Sequence, residues 1–261
     1  MRSFKDIAMK DDTIISDELK EIHEKLFSLL TEFDALCEEN NIKYSLTFGT
    51  LIGAIRHKGF VPWDDDVDIA IDRKNYNKLI SVVNKSSVYE FKRHHWVRTF
   101  KRKNEPLSMD IFPYDNVPDN ALAAKLKVLV IKVLQGMIDK KNDLSKYSTV
   151  YKIAVKTTSL LGKPFKLSTK QKWYDKVSIL GNKKKTKKIC CYSSAYKSLD
   201  KHFKSDIFKT IIKVEFENKM FDSVKEYDAF LRGYYGDYMT PPEKSKRKPL
   251  HKQIHKQNHC Q

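Results

Sequence analysis

The chain has 261 residues and a mass of 30.6 kDa, with 41% hydrophobic and 11% aromatic residues. These values exclude an intrinsically disordered chain, and a chain of this length buries enough surface to fold without disulfides or a structural metal. An excess of 50 Lys and Arg over 33 Asp and Glu gives a net charge of +17, which favours an anionic partner: nucleic acid, an anionic membrane surface or a phosphorylated substrate.

Cysteine usage and hydropathy favour a cytoplasmic protein. The four cysteines form no CxxC pair, which is typical of reduced thiols: Cys37, Cys190, Cys191 and Cys260. Residues 1–12 lack the apolar core of a signal peptide, and lysines interrupt the most apolar stretch, 121–138. We therefore expect a cytoplasmic location, with peripheral binding to the inner face of the cell membrane as an open alternative.

The first part of the chain mixes helices and strands. Apolar residues at three- and four-residue steps predict a helix over 17–41 with Ser16 as its N-cap. A short strand over 42–48 leads through Gly49 and Thr50 into a second helix that ends near His57. A strand, a Gly-Thr turn and a helix N-terminus present backbone N–H groups to an anion such as phosphate.

An acidic segment follows, and it alternates with a period of two. We predict a strand over 64–72 whose front bears Asp66 and Asp68 and whose back bears apolar residues. Carboxylates two residues apart on a strand project to the same side, where they can share a divalent ion. Oxygen ligands favour Mg²⁺ or Mn²⁺ over zinc. The alternative is a solvated acidic loop.

The remaining elements are predicted in chain order. A helix is expected over 76–84, one or two strands over 88–100, and a strand over 107–112 that ends at Pro113. Asp110 lies in this last strand, and we expect it either to pair with a basic side chain or to join the metal site. Helical, lysine-rich sequence follows to about Leu161, then a lysine-rich linker at 183–188. A strand over 214–221 and a helix over 224–235, capped by Asp222, precede a basic tail.

This order of elements predicts an α+β fold in three parts. Residues 1–120 form a core, 121–200 a helical basic region, and 201–261 a strand–helix part with the basic tail. The helical basic region is open to two interpretations: a packing helix with a solvated lysine face, or an interfacial helix on an anionic membrane.

Three motifs carry a resemblance to a known family. The run from Tyr44 to Ile69 contains FGT, PWDDD and DVDI, and it closely resembles the LicD family. The MDIFP sequence at 109–113 and the YGDYM sequence at 235–239, followed by two prolines, are also similar to that family. The resemblance covers about 17–120 well and 200–251 more loosely, whereas 121–200 carries no matching motif.

The resemblance implies a nucleotidyltransferase-like fold, in which helices flank a mixed sheet. It also implies a metal-dependent phosphotransferase that moves a substituted phosphate, such as phosphocholine or a polyol phosphate, from a CDP-activated donor to a hydroxyl of a glycan or lipid-linked glycan. Acceptors in this family are surface polysaccharides such as teichoic acid, lipopolysaccharide or capsule, and fukutin-related proteins resemble distant members.

Site residues are carried over by position in the motifs. Asp66 and Asp68 match the metal pair, and Asp110 matches the third acid, so the resemblance assigns catalysis and Mg²⁺ or Mn²⁺ binding to these three. The positions assigned to the donor and its phosphates are Gly49, Thr50, Arg56 and Trp63.

Two other functions stay open at this point. One is a nucleotidyltransferase that transfers a nucleoside monophosphate to a small molecule or nucleic acid. The other is a catalytically inactive, basic protein that binds a membrane or RNA. No known nucleic-acid-binding motif is present, so a nucleic-acid partner is not expected.

Overall fold

The structure is a computed structural model that describes residues 15–93, 95–138, 149–182 and 185–247. It confirms the α+β fold, with helices around a mixed sheet. The chain forms two compact units. The first comprises residues 1–92, 99–112 and 206–261, and the second comprises 93–98 and 113–205.

Elements are numbered in chain order. Those up to residue 117 are α1 (Asp17–Glu39), β1 (Ser45–Leu46), α2 (Phe48–Arg56), β2 (Asp68–Asp72), α3 (Arg73–Val83), β3 (Tyr89–Lys92), β4 (Arg98–Arg102) and β5 (Met109–Val117). Those after it are α4 (Ala121–Ile138), α5 (Thr149–Leu161), α6 (Leu167–Ser178), β6 (Lys188–Cys190), β7 (His202–Lys204), β8 (Ile211–Phe216), β9 (Lys219–Val224) and α7 (Tyr227–Tyr235).

The sheet brings the acidic segment beside the MDIFP segment. In the described residues the strands follow the order β1-β2-β5-β4-β3, with β6 on the far part of β5 and β7 on β6. β1 runs antiparallel to β2, with Ser45 opposite Ala70. The Asp110 N–H donates to the Val67 carbonyl (2.9 Å), so the starts of the neighbouring strands β2 and β5 lie side by side.

The first helix follows its predicted pattern. Ser16 caps α1 by accepting a hydrogen bond from the Leu19 N–H (3.2 Å), as expected for an N-cap serine. Its apolar stripe is buried, and Phe33 contacts Tyr44 and Phe100 edge to face with ring centroids 5.2 Å apart. Thus α1 closes one side of the sheet.

Several predicted boundaries are wrong for identifiable reasons. The strand begins at Asp68 rather than Asp64, because a turn at 62–63 is followed by irregular backbone at 64–67 that leads into β2. Pro113 does not end β5. The strand continues to Val117, and its pairing with β6 begins at Asp115, just beyond the proline that lacks an N–H.

The segment predicted as one strand over 214–221 is a hairpin. Glu217 and Asn218 both have positive φ, which forms the two-residue turn between β8 and β9. Asp222 lies within β9 and pairs with Lys213 (2.8 Å), so it does not cap the following helix, and α7 begins only at Tyr227.

The second unit contains elements that the sequence analysis missed: α6, β6 and β7. Its core includes Ile131, Leu134, Tyr174, Tyr192 and Leu199. Two of its lysines are structural. Lys127 donates to the carbonyls of Asn116 and Leu180 (2.9 and 2.8 Å), and buried Lys170 donates to those of Met137 and Gly162 (2.7 and 3.2 Å).

Cys37, Cys190 and Cys191 are buried free thiols. Within the described ranges, no helix is both long and apolar enough to cross a membrane. Part of the lysine-rich linker, 183–184, lies outside the described residues.

Candidate functional site

The turn before β2 is held by α1. The Asp64 N–H donates to the Val61 carbonyl (2.9 Å), and His23 Nε2 donates to the Asp64 carbonyl (2.7 Å). The His23 ring also stacks on Phe60, with ring centroids 4.1 Å apart. The course of the backbone just ahead of the predicted metal ligands is therefore fixed from two sides.

Asp66 and Asp68 are both buried, with 6% and 7% of their surface exposed. Asp66 lies two residues before Asp68, where β2 begins, so only Asp68 belongs to the strand itself. Burial raises the pKa of the Asp68 carboxyl, and the charge of Asp66 raises it further. The segment that leads into β2 therefore places the two carboxyl groups near each other.

Asp110 joins this pair from the neighbouring strand. Its N–H donates to the Val67 carbonyl (2.9 Å), and its side chain is half-buried. Burial, followed by the charges of Asp66, Asp110 and Asp64, raises the pKa of the Asp68 carboxyl well above its ordinary range. The structure thus brings the three predicted acids into one electrostatic group.

Gly49 and Thr50, which lie in the first turn of α2 rather than ahead of the helix as predicted, support Asp68 directly. The Gly49 N–H donates to the Asp68 carboxylate and thereby lowers its pKa, opposing the neighbouring acids. Thr50 Oγ1 accepts from the Asp68 N–H (2.9 Å). A Cβ at Gly49 would lie 2.1 Å from Asp64 Oδ2, so a larger residue here would displace the Asp64 carboxylate.

The residue before Gly49 has an unusual backbone. Phe48 has φ of 44°, a left-handed conformation that costs about 1–2 kcal/mol for a residue with a side chain. Its ring contacts Phe112 and Tyr234, each with ring centroids 4.9 Å apart. This aromatic packing holds the start of α2, and with it the turn, in place.

A cavity of about 410 Å³ opens in front of the acids. Cationic and aromatic side chains share its wall with the carboxylates: Arg56, Lys246, Trp63, Tyr235 and Tyr238. Arg56 is buried and donates to the Tyr238 carbonyl (2.8 Å), which anchors the segment after α7 to α2. All four residues predicted to bind the donor lie in or directly beside this cavity, because Gly49, Arg56 and Trp63 line it and Thr50 bonds Asp68.

The YGDYM segment supplies residues to which the sequence analysis gave no role. Tyr235 has 48% of its surface exposed, whereas its hydroxyl end lies beside the acids. Burial of that end, and then the charges of Asp68, Asp64 and Asp66, raise the pKa of the Tyr235 hydroxyl. The YGDYM motif at 235–239 pointed to this segment, but it did not indicate that Tyr235 lies beside the acids.

Lys246 and Arg247 carried no sequence signal. Lys246 lines the cavity, and the Arg247 guanidinium lies 4.9 Å from the centre of the Trp63 ring. Their positions depend on the fold of the C-terminal segment over the cavity, which residue spacing alone does not predict.

The β8–β9 hairpin supports the loop between α2 and the acidic segment that precedes β2. The Glu217 side chain accepts from the Phe60 N–H (3.0 Å), and the Glu217 N–H donates to the Lys58 carbonyl (2.8 Å). The Val224 N–H donates to Ser45 Oγ (3.0 Å), which ties β9 to β1. The hairpin therefore holds both chain segments that flank α2.

The donor set fits a hard divalent cation. Only carboxylate oxygens are offered, as Mg²⁺ and Mn²⁺ prefer. In the described parts of the chain no group of three or more His, Cys, Asp and Glu side chains is placed to hold a metal ion by itself. Mg²⁺ is commonly held by one or two carboxylates together with substrate phosphates.

Comparison with known proteins identifies the class. Residues 41–124 match the family model described as "LicD/FKTN/FKRP, nucleotidyltransferase domain". Over 248 residues the chain is 32% identical to the lipopolysaccharide cholinephosphotransferase LicD of Haemophilus influenzae, covering 86% of this chain and 92% of that protein. A stretch of 46 residues is 50% identical to uncharacterized proteins of Rickettsia prowazekii and Rickettsia typhi, covering 18% of this chain and 17% and 15% of theirs.

The matched model spans α2, β2, β5 and their connections, which are the elements that carry the acids and the Gly-Thr turn. The chain belongs to the LicD family. It is accordingly an enzyme of the phosphotransferase class, which transfers substituted phosphate groups.

Proposed function

We propose that this chain transfers phosphocholine, or a closely related substituted phosphate, from a CDP-activated donor to a hydroxyl of a cell-surface glycan, with lipopolysaccharide or its lipid-linked precursor as the first candidate. Mg²⁺ or Mn²⁺ bound by Asp66, Asp68 and Asp110 is part of this proposal. The observation that carries it is the group of acids around Asp68: Asp66 and Asp68 line a cavity with Arg56 and Lys246 in its wall, and Asp110 interacts with Asp68.

The charges in the cavity suit a pyrophosphate donor. Arg56 and Lys246 would bind the phosphate oxygens of the donor, and Trp63 would pack beside it. A divalent cation held by the acids would neutralise negative charge on the donor and on the departing nucleotide. Without a cation, the acids would repel the same phosphates.

The proposed transfer needs a nucleophile, a leaving group and a proton acceptor. The acceptor hydroxyl oxygen attacks the phosphorus of the substituted phosphate, and the P–O bond to CMP breaks, so CMP leaves with the bonding electron pair. The hydroxyl proton passes to the carboxylate of Asp110, which is half-buried beside Asp68 and so combines access to the acceptor with a place near the reacting phosphate.

Choline is the first candidate for the transferred group for two reasons. The relative in Haemophilus influenzae is named as a cholinephosphotransferase. The cavity also offers the Tyr235 ring beside several carboxylates, and aromatic rings and acids together attract a quaternary ammonium ion.

A donor screen tests the proposal. Purified full-length chain is incubated with CDP-choline, CDP-glycerol or CDP-ribitol, Mg²⁺ and a lipopolysaccharide acceptor, and CMP release and acceptor labelling are measured. We expect CMP release with CDP-choline. Asp68→Asn should lower the rate of CMP release at least about 1,000-fold, because the substitution removes both a negative charge and a predicted metal ligand.

Asp206→Asn is the matched control, because Asp206 is an exposed aspartate of the same unit outside the cavity. Wild-type turnover by Asp68→Asn would contradict the site assignment. Release of pyrophosphate from CTP, without CMP release from any CDP donor, would instead identify a nucleotidyltransferase that moves the monophosphate itself.

A further inference from the structure

The helix α4 exposes a row of leucines that nothing in the described part of its unit covers. Leu122, Leu126 and Leu129 have 77%, 58% and 58% of their surface exposed. At 100° per residue they lie within about 60° of one another around the helix. Ile131 and Leu134 are buried on another face, so α4 is apolar both toward its core and toward its surroundings.

The helix α5 repeats this pattern. Ile153, Leu160 and Leu161 have 60%, 61% and 59% of their surface exposed. The two helices lie together, since Thr158 packs where a side chain on Gly136 would otherwise be. Exposed apolar residues scattered singly are ordinary, but rows of them on two adjoining helices mark an interaction surface.

The charge around these rows has one sign. Between 120 and 138, and again between 149 and 174, the sequence contains no aspartate or glutamate. The lysines of these two stretches that reach the surface are Lys125, Lys132, Lys152, Lys156, Lys163, Lys166 and Lys172. Lys125 is three residues from Leu122 and four from Leu129, and Lys156 is four residues from Leu160. Each lysine is therefore a surface neighbour of a leucine on its own helix.

A cavity of about 590 Å³ beside α4 extends the cationic edge. Lys125, Lys187 and Lys188 line it together with apolar residues, and Asp119 and Asp200 offset part of this charge. The leucine row of α4 is therefore bordered along one side by several ammonium groups.

We infer that α4 and α5 dock this protein on an anionic lipid bilayer, with the exposed leucines at the boundary of the acyl chains and the lysines at the headgroups. Leucine rows edged by lysines are the arrangement of helices that lie in the membrane interface. A second copy of the chain is a poorer occupant, because a symmetric contact would press this lysine-edged face, in which cations outnumber acids, against itself. Docking of this kind is independent of the proposed transfer reaction and needs no donor.

Vesicle co-sedimentation of the full-length chain tests the inference. We expect binding to phosphatidylcholine vesicles that contain about one-third phosphatidylglycerol and little binding to phosphatidylcholine alone. Binding should weaken as NaCl rises from about 0.05 to 0.5 M, because salt screens the lysines. Equal or no binding to the two vesicle types would overturn the inference.

Two pairs of substitutions separate the apolar and charged contributions. Leu126→Gln with Leu129→Gln should weaken partitioning at least about tenfold, while Val88→Gln with Met220→Gln, at exposed apolar sites of the other unit, should not. Lys125→Glu with Lys156→Glu should weaken it at least about 20-fold, and Lys74→Glu with Lys85→Glu, of equal charge change, should weaken it far less.

Circular dichroism and thermal unfolding confirm that each variant is folded before binding is compared. Wild-type binding by the leucine pair would overturn the inference. So would a concentration-dependent dimer in light scattering that the leucine pair abolishes, because the leucines would then form a contact between copies.

Discussion

Besides its predicted role in donor binding, Thr50 supports the backbone at Asp68. Its hydroxyl oxygen accepts the N–H of Asp68, and both residues are buried. Thr50→Val keeps the shape but leaves that N–H without its acceptor. We expect a loss of about 1–3 kcal/mol in the free energy of unfolding, measured by urea denaturation.

Thr50→Ser retains the oxygen and serves as the control for this substitution. It should stay within about 1 kcal/mol of the wild type, since it loses one methyl group. Equal stability of the valine variant and the wild type would show that the Asp68 N–H finds another acceptor.

Substitution of Tyr235 tests whether the transferred group contains choline. If the ring attracts choline, Tyr235→Leu should raise KM for CDP-choline by about 5–30-fold relative to CDP-glycerol, whose glycerol moiety carries no cationic group. Tyr235→Phe keeps the ring and should preserve the preference. An equal rise of KM for both donors in the leucine variant would contradict a choline-binding role.

His23 predicts a pH dependence of stability. Burial lowers the pKa of His23 below its ordinary value of 6.5, although its hydrogen bond to the Asp64 carbonyl acts in the opposite direction. Below about pH 6.5 the unfolded chain therefore binds this proton more readily than the folded chain, and the free energy of unfolding falls as the pH falls. This contribution stays below about 1.4 kcal/mol per pH unit, because the folded and unfolded states can differ by at most one proton at His23.

His23→Phe retains the stacking on Phe60 and removes the titration. Urea denaturation at pH 7 and pH 5 should give a smaller difference in stability for the variant than for the wild type. Loss of the hydrogen bond to Asp64 lowers both values alike, so it does not enter the difference. Identical differences would contradict the assignment to His23.

At the scale of elements, α2 and the loop that follows it pack backbone to backbone. A Cβ at Gly53 would lie 2.3 Å from the Gly59 carbonyl oxygen, which cannot move without shifting the loop. A Cβ at Gly59 would lie 2.1 Å from Glu217 Oε1, at the end of a flexible side chain. The two sites therefore differ in how readily their neighbours yield.

Alanine at each glycine measures this difference. Gly53→Ala should lower the free energy of unfolding by about 1–3 kcal/mol, whereas Gly59→Ala should cost less because Glu217 can swing aside. Differential scanning calorimetry of the two variants compares them directly. A larger loss for Gly59→Ala would show that the Glu217 contact with the loop is the stiffer of the two.

The elements also show which patterns in the sequence were informative. The α1 stripe with Ser16 as its cap was predictable, because local periodicity and capping chemistry suffice for a long amphipathic helix. The β8–β9 turn was not, because Glu217 and Asn218 adopt left-handed conformations without the glycine that usually marks them. β6 and β7 are short, and their place depends on pairing with β5, which spacing along the chain does not reveal.

The candidate site follows the same division. The carboxylates were predictable from residue type and motif, but the path of the backbone at Asp64, just ahead of them, depends on a contact with His23 across the fold. Lys246 lines the cavity and Arg247 lies beside Trp63 in a segment that Arg56 anchors, and this arrangement is not visible in residue spacing.

At the scale of the whole molecule, the basic residues behind the net charge of +17 have several separate roles. Lys127 and Lys170 bond backbone carbonyls, Arg56 and Lys246 line the cavity, and surface lysines edge α4 and α5. The excess is therefore divided among packing, the candidate site and one surface, and it does not by itself indicate nucleic acid.

Metal binding should be visible in the stability of the whole chain. At a Mn²⁺ concentration about 100-fold above its dissociation constant, binding to the folded state adds about 2.7 kcal/mol, which corresponds to a rise of about 5–10 °C in Tm. Asp66→Asn with Asp68→Asn should lose this rise, and Asp206→Asn should keep it. A full rise in the double variant would place the metal elsewhere.

The discontinuous make-up of the first unit has a consequence for synthesis. Its last segment supplies the Val224 N–H to Ser45 and the Glu217 side chain to Phe60, contacts that join residues 179 and 157 positions apart. A ribosome therefore releases the acidic turn long before the hairpin that braces it, and loop closure over this distance slows folding. Nascent chains halted before residue 206 would carry every predicted metal ligand and lack the support that shapes the cavity, so we expect the site to form only after the β8–β9 segment has been synthesised.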